Sequence, residues 1–440
     1  MDEPALIASI AHRSYDSGIE RRMRRRKSRW VWKLLLLGLL VLVGVGAYSF
    51  DRMALSYLTG QRRVPGQDFS GAPLRMDGPV PGFAYLGALA PSEQPPGVRM
   101  LRPREAGRSM GLRSGDIITQ VDGKAFHDGD ELYRYFLSDH TAGDRLTLSV
   151  EREGESRREL QLVLEPFLRS PADLGLRFMD VEMRSGSGFT LRGWFVPPPD
   201  GGDGRVGIFV HGAKSSRFQG LEAATHWYRR GYGVLMMDLS GRGASDGDYV
   251  TYTVNERLDV ATMIQWVRER PTVRADAVVV FGTSNGAAAA IFAAAQDASL
   301  AALALDAPFA SLWDAAGEML ASRGAPTLVR YPLSVSVWAR AGINLWGVRP
   351  LDAITQVRAP VLFIHGDADE EVPPHHSEEM ARLRKQAGLP TERWLLPGGE
   401  HGFDNYPPPG IFWNRVVDFF DAALGGAPPA LTLDVSIRTP

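Results

Sequence analysis

Gly282-Thr283-Ser284-Asn285-Gly286 sets a serine between two glycines, after the apolar β-branched run Val278–Phe281 and before the alanine-rich run Ala287–Ala295. Those two runs read as a buried strand followed by a helix. A turn that tight between strand and helix needs small residues on both sides, here Gly282 and Gly286, and it pushes the Ser284 hydroxyl out over the end of the sheet. A serine hydroxyl is a weak nucleophile until a neighbouring base takes its proton. The chemistry open to Ser284 is therefore acyl transfer through a covalent intermediate. It requires a base, an acid to orient that base, and N–H donors for an oxyanion. Asn285 N–H comes with the turn as one such donor. With no cysteine in the 440 residues, a thiolate nucleophile, thiolate metal ligands and disulfides are excluded.

The elements that must carry this serine sit within a longer plan. A formal net charge of −2 gives no general basis for nucleic-acid binding, and no nucleic-acid partner is expected. Positive charge is concentrated at the start instead. Residues 1–29 end in Arg21-Arg22-Met23-Arg24-Arg25-Arg26-Lys27-Ser28-Arg29 and read as a cytoplasmic basic segment. Residues 30–50 carry Trp30, Val31, Trp32 and Lys33 and then the uncharged Leu34–Phe50, close to the roughly 20 residues of a membrane-spanning helix. Lys33 can snorkel to the headgroups, and the two tryptophans suit the interface. The expectation is an uncleaved signal anchor: a single-pass membrane protein, N-terminus cytoplasmic, with everything after Phe50 exported to the periplasm or the outside. A cleaved signal peptide is the rival, with Val45-Gly46-Ala47 as small residues near a cleavage point. Residues 51–78 lack periodicity and read as a linker, and 428–440 as a tail.

Residues 79–166 change to short strands and turns. Ile117–Val121 is an apolar strand, Asp122-Gly123 a hairpin turn, and Arg145–Arg152 and Ser156–Leu164 are alternating strands. A helix is predicted over Asp128–Ser138, with Leu132, Tyr135 and Phe136 on one face and Asp128 as its cap. Tyr85-Leu86-Gly87-Ala88, Ala106-Gly107, Gly111-Leu112, Gly115-Asp116-Ile117-Ile118 and Asp122-Gly123 together resemble a PDZ domain, of the permuted type found in bacterial exported proteases. The resemblance implies that Tyr85, Leu86 and Gly87 form a peptide carboxylate-binding loop, whose converging N–H groups hold an anion beside a free strand edge. It implies a C-terminal peptide as partner; a degenerate module that only packs against its neighbour is the other reading.

From about 173 to 427 strands and helices alternate, which argues for a mostly parallel sheet. Val206–Val210 runs into His211-Gly212-Ala213-Lys214-Ser215-Ser216-Arg217. Val361–Ile364 runs into His365-Gly366-Asp367-Ala368-Asp369-Glu370-Glu371-Val372-Pro373, and Arg393–Leu396 into Pro397-Gly398-Gly399-Glu400-His401-Gly402-Phe403. With the serine turn, these loops resemble an α/β-hydrolase of the serine esterase and S9/S33-like peptidase branches. The resemblance implies Ser284 as nucleophile, Asp369 as acid and His401 as base, in that chain order. Asp367 is the nearest competitor for the acid, too close to its strand end to match the pattern. The resemblance also implies Ala213 N–H as the second oxyanion donor beside Asn285 N–H. It leaves His211 and Gly212, like Gly282 and Gly286, to organise their loops, and His365 to shape the acid loop. Arg217 matches a basic residue often found at its position, with a surface ion pair as the plain reading. The apolar insertion at about 311–357, with Trp313, Met319, Leu328, Tyr331, Trp338, Ile343 and Trp346, reads as a helical lid, most of its aromatic residues being core. His375 and His376, two adjacent histidines, make a poor metal site, and no metal or other cofactor is implied.

The fold class is thus α/β: an α/β-hydrolase fold, mostly parallel sheet with helices on both faces and a lid, plus a small β-rich PDZ-like domain and one N-terminal transmembrane helix. The function expected is a membrane-anchored, exported serine hydrolase cleaving a small carboxylic ester through an acyl-enzyme on Ser284. A serine peptidase with PDZ-mediated substrate presentation, and a non-catalytic peptide-binding scaffold, are the alternatives.

Overall fold

The computed structural model describes residues 80–426, except 85, 104, 404, 405, 407 and 408. The expected basic segment, membrane anchor, linker and tail, and Tyr85, lie outside the described residues. Among those described, no helix is long and apolar enough to cross a membrane.

Residues 80 to 166 form an antiparallel unit of eight strands: β1 (Gly82–Phe83), β2 (Gly87–Glu93), β3 (Pro96–Pro103), β4 (Ile117–Val121), β5 (Lys124–Ala125), β6 (Arg145–Glu151), β7 (Arg158–Val163) and β8 (Glu165–Pro166). The sheet runs β2-β3-β4-β6-β7, with β5 on β4, and β1 pairs separately with β8. Asp122 (φ 47°) and Gly123 (φ 81°) supply the two positive angles of a tight hairpin turn between β4 and β5. The helix Gly129–Asp139 starts where Asp128 Oδ1 accepts from Glu131 N–H at 2.8 Å. It buries Leu132, Tyr133 and Phe136. The pattern put Tyr135 on that inner face. The stripe counted from Gly129 at helical spacing takes Tyr133 instead, and Tyr135 moves to the flank, its ring 4.2 Å from Lys124 Nζ.

The second unit holds β9 (Met179–Arg184), β10 (Thr190–Val196), β11 (Val206–Val210), β12 (Gly233–Met237), β13 (Val278–Thr283), β14 (Ala302–Asp306), β15 (Val361–Gly366) and β16 (Thr391–Leu396). They pair in the order β16-β15-β14-β13-β11-β12-β10-β9, parallel except at β9 and β10. Strands covered on both faces read as unbroken apolar runs, and β11 and β13 are buried along their whole length. One face packs under the helices Glu256–Arg268, Asn285–Ala295 and His375–Gln386. The other packs under Leu221–Arg229 and Pro409–Ala423. That last helix starts at Pro409, which suits a first turn, and already puts Phe412 and Trp413 inside the core.

Between β14 and β15 the chain builds a lobe with its own small core, from the helices Leu312–Ser322 and Arg330–Ala341, while the short helix Pro350–Ala353 joins the main core through Ala353. Val250, Tyr252, Ala288 and Val372 belong to the same cluster, and Ala213 packs against it, so the lobe sits beside the loops that carry the chemistry. Its aromatic residues are not mostly core. Trp313 and Ile343 are buried, whereas Leu328, Tyr331, Trp338 and Trp346 are exposed. The helix Arg330–Ala341 is apolar on both sides, and only Leu333 and Val337 are turned fully inward.

Candidate active site

At the end of β13 the chain turns into the helix Asn285–Ala295 through Ser284, held at φ 53° and ψ −118°. A non-glycine residue there is strained and persists only where its surroundings fix it. The surroundings do so: Ser284 N–H donates to Asp306 O at 2.8 Å, and β13 is paired on both sides by β11 and β14. The flanking glycines are dictated by contact. A Cβ on Gly282 would lie 2.8 Å from Ala287 Cα, and one on Gly286 would lie 2.4 Å from Val210 O.

Three loops then converge. His401 Nδ1–H donates to Asp369 Oδ2 at 2.7 Å, and Ser284 Oγ–H donates to His401 Nε2 at 3.0 Å. The Asp369 contact places the ring proton on Nδ1, which leaves the Nε2 lone pair facing the serine. Asp369 is fixed in turn: Oδ1 accepts from Glu371 N–H at 2.9 Å and Val372 N–H at 2.8 Å. Asp367, the competitor, points elsewhere, its Oδ1 accepting from Gly398 N–H at 2.6 Å. It ties the start of the histidine loop to the acid loop.

Burial alone would raise the pKa of Asp369, but hydrogen bonds from His365 and His401 hold its carboxyl well below the ordinary range. His401 is balanced the other way. Burial disfavours its cation, yet the Asp369 hydrogen bond and the charges of Asp369, Glu371 and Asp306 raise its pKa above the usual value. An imidazole poised to hold a proton beside a serine hydroxyl can act as base and then as acid.

The opposite wall comes from the loop after β11. His211 is fully buried; its Nδ1–H donates to Gly212 O at 2.8 Å and its Nε2 accepts from Leu239 N–H at 3.0 Å. Burial pushes its pKa down to about 4, so it stays neutral and braces the loop. A Cβ on Gly212 would come 3.6 Å from Ser284 Cβ, which is how close this loop runs to the serine. Ala213 N–H and Asn285 N–H have no hydrogen-bond partner among the described residues. The second is an orphan donor of a helix's first turn. Lys214 Nζ reaches Glu371 at 3.0 Å, joining this loop to the acid loop. Arg217 is no surface ion pair: its guanidinium lies 4.2 Å over Trp194 and 3.7 Å from the buried Asp238.

Sequence reasoning passed over Asp306. This fully buried carboxylate ends β14 and accepts from Thr283 Oγ1 at 2.7 Å and from Phe403 N–H at 3.2 Å, so it couples the serine turn to the histidine loop. Burial lifts its pKa to about 6. A strand-end aspartate was the available signal. Glu318 was also missed. It leaves the lid helix Leu312–Ser322 to meet His375 at 3.3 Å and His376 at 2.9 Å, beside a cleft of about 390 Å³. The three ligand atoms lie within 4.8 Å of one another. However, Ala310 N–H donates to His376 Nδ1, which puts that ring's proton on Nε2, facing Glu318. A metal would need that lone pair.

In the N-terminal unit the first residue of β2, Gly87, is not open. Gly87 N–H donates to Tyr133 Oη at 3.3 Å, and Tyr133 O–H donates to Gly87 O at 2.9 Å. Leu86 is buried, and a Cβ on Gly129 would lie 2.8 Å from Leu89 Cβ, so strand β2 and the helix touch there. Arg108, in the helix Glu105–Ser109, reaches Glu400 of the other unit at 3.3 Å, one residue before His401.

Residues 210–333 match the family model of X-Pro dipeptidyl-peptidases (S15 family), and residues 89–162 match that of PDZ domains. The uncharacterized protein YfhR of Escherichia coli O157:H7 is 30% identical over 231 residues, 50% of this chain and 72% of that protein. The α/β-hydrolase domain-containing protein WAV2 of Arabidopsis thaliana is 26% identical, over 57% of this chain and 81% of that one. The Pyrococcus furiosus esterase Pf2001 aligns with 57% of this chain and 94% of its own, at 22% identity and a TM-score of 0.48. The chain belongs to the family of YfhR, and it is a serine hydrolase of the α/β-hydrolase type that carries a PDZ domain ahead of its catalytic domain.

Proposed function

We propose that the chain hydrolyses a carboxylic ester through an acyl-enzyme on Ser284. The observation that carries this reading is the unbroken relay from Asp369 through His401 to Ser284, at 2.7 and 3.0 Å. Ser284 Oγ attacks the acyl carbon while its proton passes to His401 Nε2. The carbonyl oxygen becomes an oxyanion facing Ala213 N–H and Asn285 N–H, two donors with no other partner to give up. Collapse breaks the C–O bond and His401 returns the proton to the departing alkoxide. Water then attacks the acyl-serine by the same route, releasing the acid and restoring the Ser284 hydroxyl. Asp369 fixes the imidazole and stabilises its cation without taking the proton.

A peptide amide is the second reading, and the dipeptidyl-peptidase match over residues 210–333 favours it. The same residues would serve, with the amine as leaving group. In either case the enzyme would be held at a membrane by residues 30–50, its catalytic unit exported. A C-terminal peptide would enter the PDZ groove only by displacing the Tyr133 hydroxyl from Gly87. Fluorophosphonate labelling of the wild type beside Ser284→Ala tests the nucleophile; labelling that survives the substitution rejects it. Turnover of matched acyl esters and peptide amides separates the two substrates. A reporter fused after Pro440 that is active in the cytoplasm rejects the topology.

A further inference from the structure

We propose that the outer face of the lid docks on an anionic lipid bilayer. Leu328, Val335 and Trp338 are 72%, 64% and 63% exposed, and Tyr331 and Trp346 about half. Positions 328, 331, 335 and 338 follow helical spacing and form one stripe along the helix Arg330–Ala341 and the turn before it. Trp346 joins its end: its ring stacks on Trp313 at 3.8 Å and lies 6.1 Å from Tyr331. A helix apolar on both sides is one whose second face meets something other than water. Five large side chains in one patch differ from scattered single exposures.

Charge selects the occupant. From Met319 to Leu351 there is no aspartate or glutamate, while Arg323, Arg330, Arg340 and Arg349 all fall there; at the margins Arg330 lies 4.0 Å from Asp314 and Arg349 3.0 Å from Asp352, so the lobe keeps a basic excess in a chain whose net charge is −2. Arginines among exposed Trp, Tyr and Leu match the boundary of an anionic membrane, where aromatic rings sit at headgroup depth and guanidinium groups meet phosphate. The chain outside the described residues supplies the setting. The uncharged run Leu34–Phe50 is the proposed anchor, and residues 51–79 can span on the order of 100 Å when extended. The lid could therefore reach the bilayer that holds the anchor. Since the lid core packs on Ala213, Ala288 and Val372, docking would act on the lobe beside the catalytic loops.

The absence of native cysteine makes the test clean. A single Val335→Cys or Leu328→Cys in the full chain takes an environment-sensitive fluorophore, and Glu153→Cys, on an exposed turn of the PDZ domain, is the control. The proteins are reconstituted in phosphatidylcholine vesicles with and without about one-third phosphatidylglycerol, their fold checked by fluorophosphonate labelling. Lid labels should be quenched severalfold more than the control by lipids bearing doxyl groups, and the excess should fall without the anionic lipid or in about 1 M salt. Equal quenching at lid and control positions overturns the proposal. So does a lid label shielded from aqueous iodide but untouched by doxyl lipid, with shielding that rises with protein density; a second copy would then be the occupant.

Discussion

Two backbone positions that the sequence marked for anion binding, the Ala213/Asn285 pair and Gly87, are in opposite states. Ala213 N–H and Asn285 N–H, on the two loops nearest the serine, have no partner among the described residues. At Gly87 the donor is already satisfied by the Tyr133 hydroxyl, which also donates back to the carbonyl of the same residue. Supporting structure explains the contrast. The first pair sits on a loop braced by a buried neutral His211 and on a strained serine turn, so neither donor is drawn to another partner. The second lies beside a helix whose tyrosine is long enough to reach it. A preorganised site must keep its donors desolvated yet unspent, and only surrounding contacts can enforce that. The catalytic loops have those contacts; at Gly87 a side chain already takes up the donor.

The largest effect should come from the open site. Ser284→Ala should reduce kcat by about 10⁴-fold or more with the melting temperature little changed, measured on any ester the wild type turns over. A loss below about tenfold would mean that the acyl group is not carried on Ser284. Next is Asp369→Asn. Activity needs His401 neutral, so kcat/KM of the wild type should rise with pH through an apparent pKa above the ordinary histidine value of about 6.5. That follows from its raised pKa, in which burial is outweighed by Asp369 and the nearby carboxylates. Replacing Asp369 removes the largest of the raising contributions, leaves burial to dominate, and should move the limb to lower pH. It should also cut kcat by about 10³- to 10⁴-fold, because the imidazole tautomer is no longer fixed. A pH–rate profile of both proteins checks the sign. An unmoved limb would assign the titration to another group.

The open site was far more legible in the sequence than the closed one, for a physical reason. Loop ends on a parallel sheet are short and chemically constrained: Gly282 and Gly286 admit no side chain, and Asp369 and His401 lie on the short loops that leave β15 and β16. Residue type and order therefore fixed what meets what. Tyr133 at Gly87 is a contact between a helix and a strand 46 residues apart, and helical periodicity says only which face is inward. Even there the choice between Tyr133 and Tyr135 turned on where the stripe was started. Asp306 was hidden differently, as one polar residue ending an apolar strand whose partners Thr283 and Phe403 come from two other loops. The lid's exposed aromatics defied the usual bias of aromatic stripes towards the core, since composition cannot tell a buried face from a face with an absent partner.

Tyr133→Phe sharpens the comparison at intermediate size. It removes the phenol that satisfies Gly87 while leaving the ring in place. If the contact is what closes the loop, the PDZ domain should lose about 1–2 kcal/mol, the cost of a hydrogen bond plus a donor left unpaired. C-terminal peptides should then bind more tightly than to the wild type, because their carboxylate no longer competes with a hydroxyl. Peptide-library binding and thermal melts read the two halves. Loss of stability with no gain in binding would make the tyrosine a structural pin and the groove a packing surface.

The smallest effect concerns a link between the PDZ domain and the histidine loop, Arg108 to Glu400. Arg108 and Glu400 are 45% and 23% exposed, and a pair so wetted contributes about 0–1 kcal/mol. Its position gives it more interest than its energy, since Glu400 precedes His401, whose ring must stay within hydrogen-bond reach of both Asp369 and Ser284. If the PDZ domain merely rests on that loop, Arg108→Ala should change kcat/KM less than about threefold, and 0.5 M salt should erase the change. If the contact holds the loop, kcat should fall more than tenfold while KM moves little, as expected when a reacting group loses its alignment rather than its substrate. The double substitution with Glu400→Ala decides whether the arginine acts through its partner: equal losses in single and double variants assign the effect to the pair, additive losses to two unrelated sites.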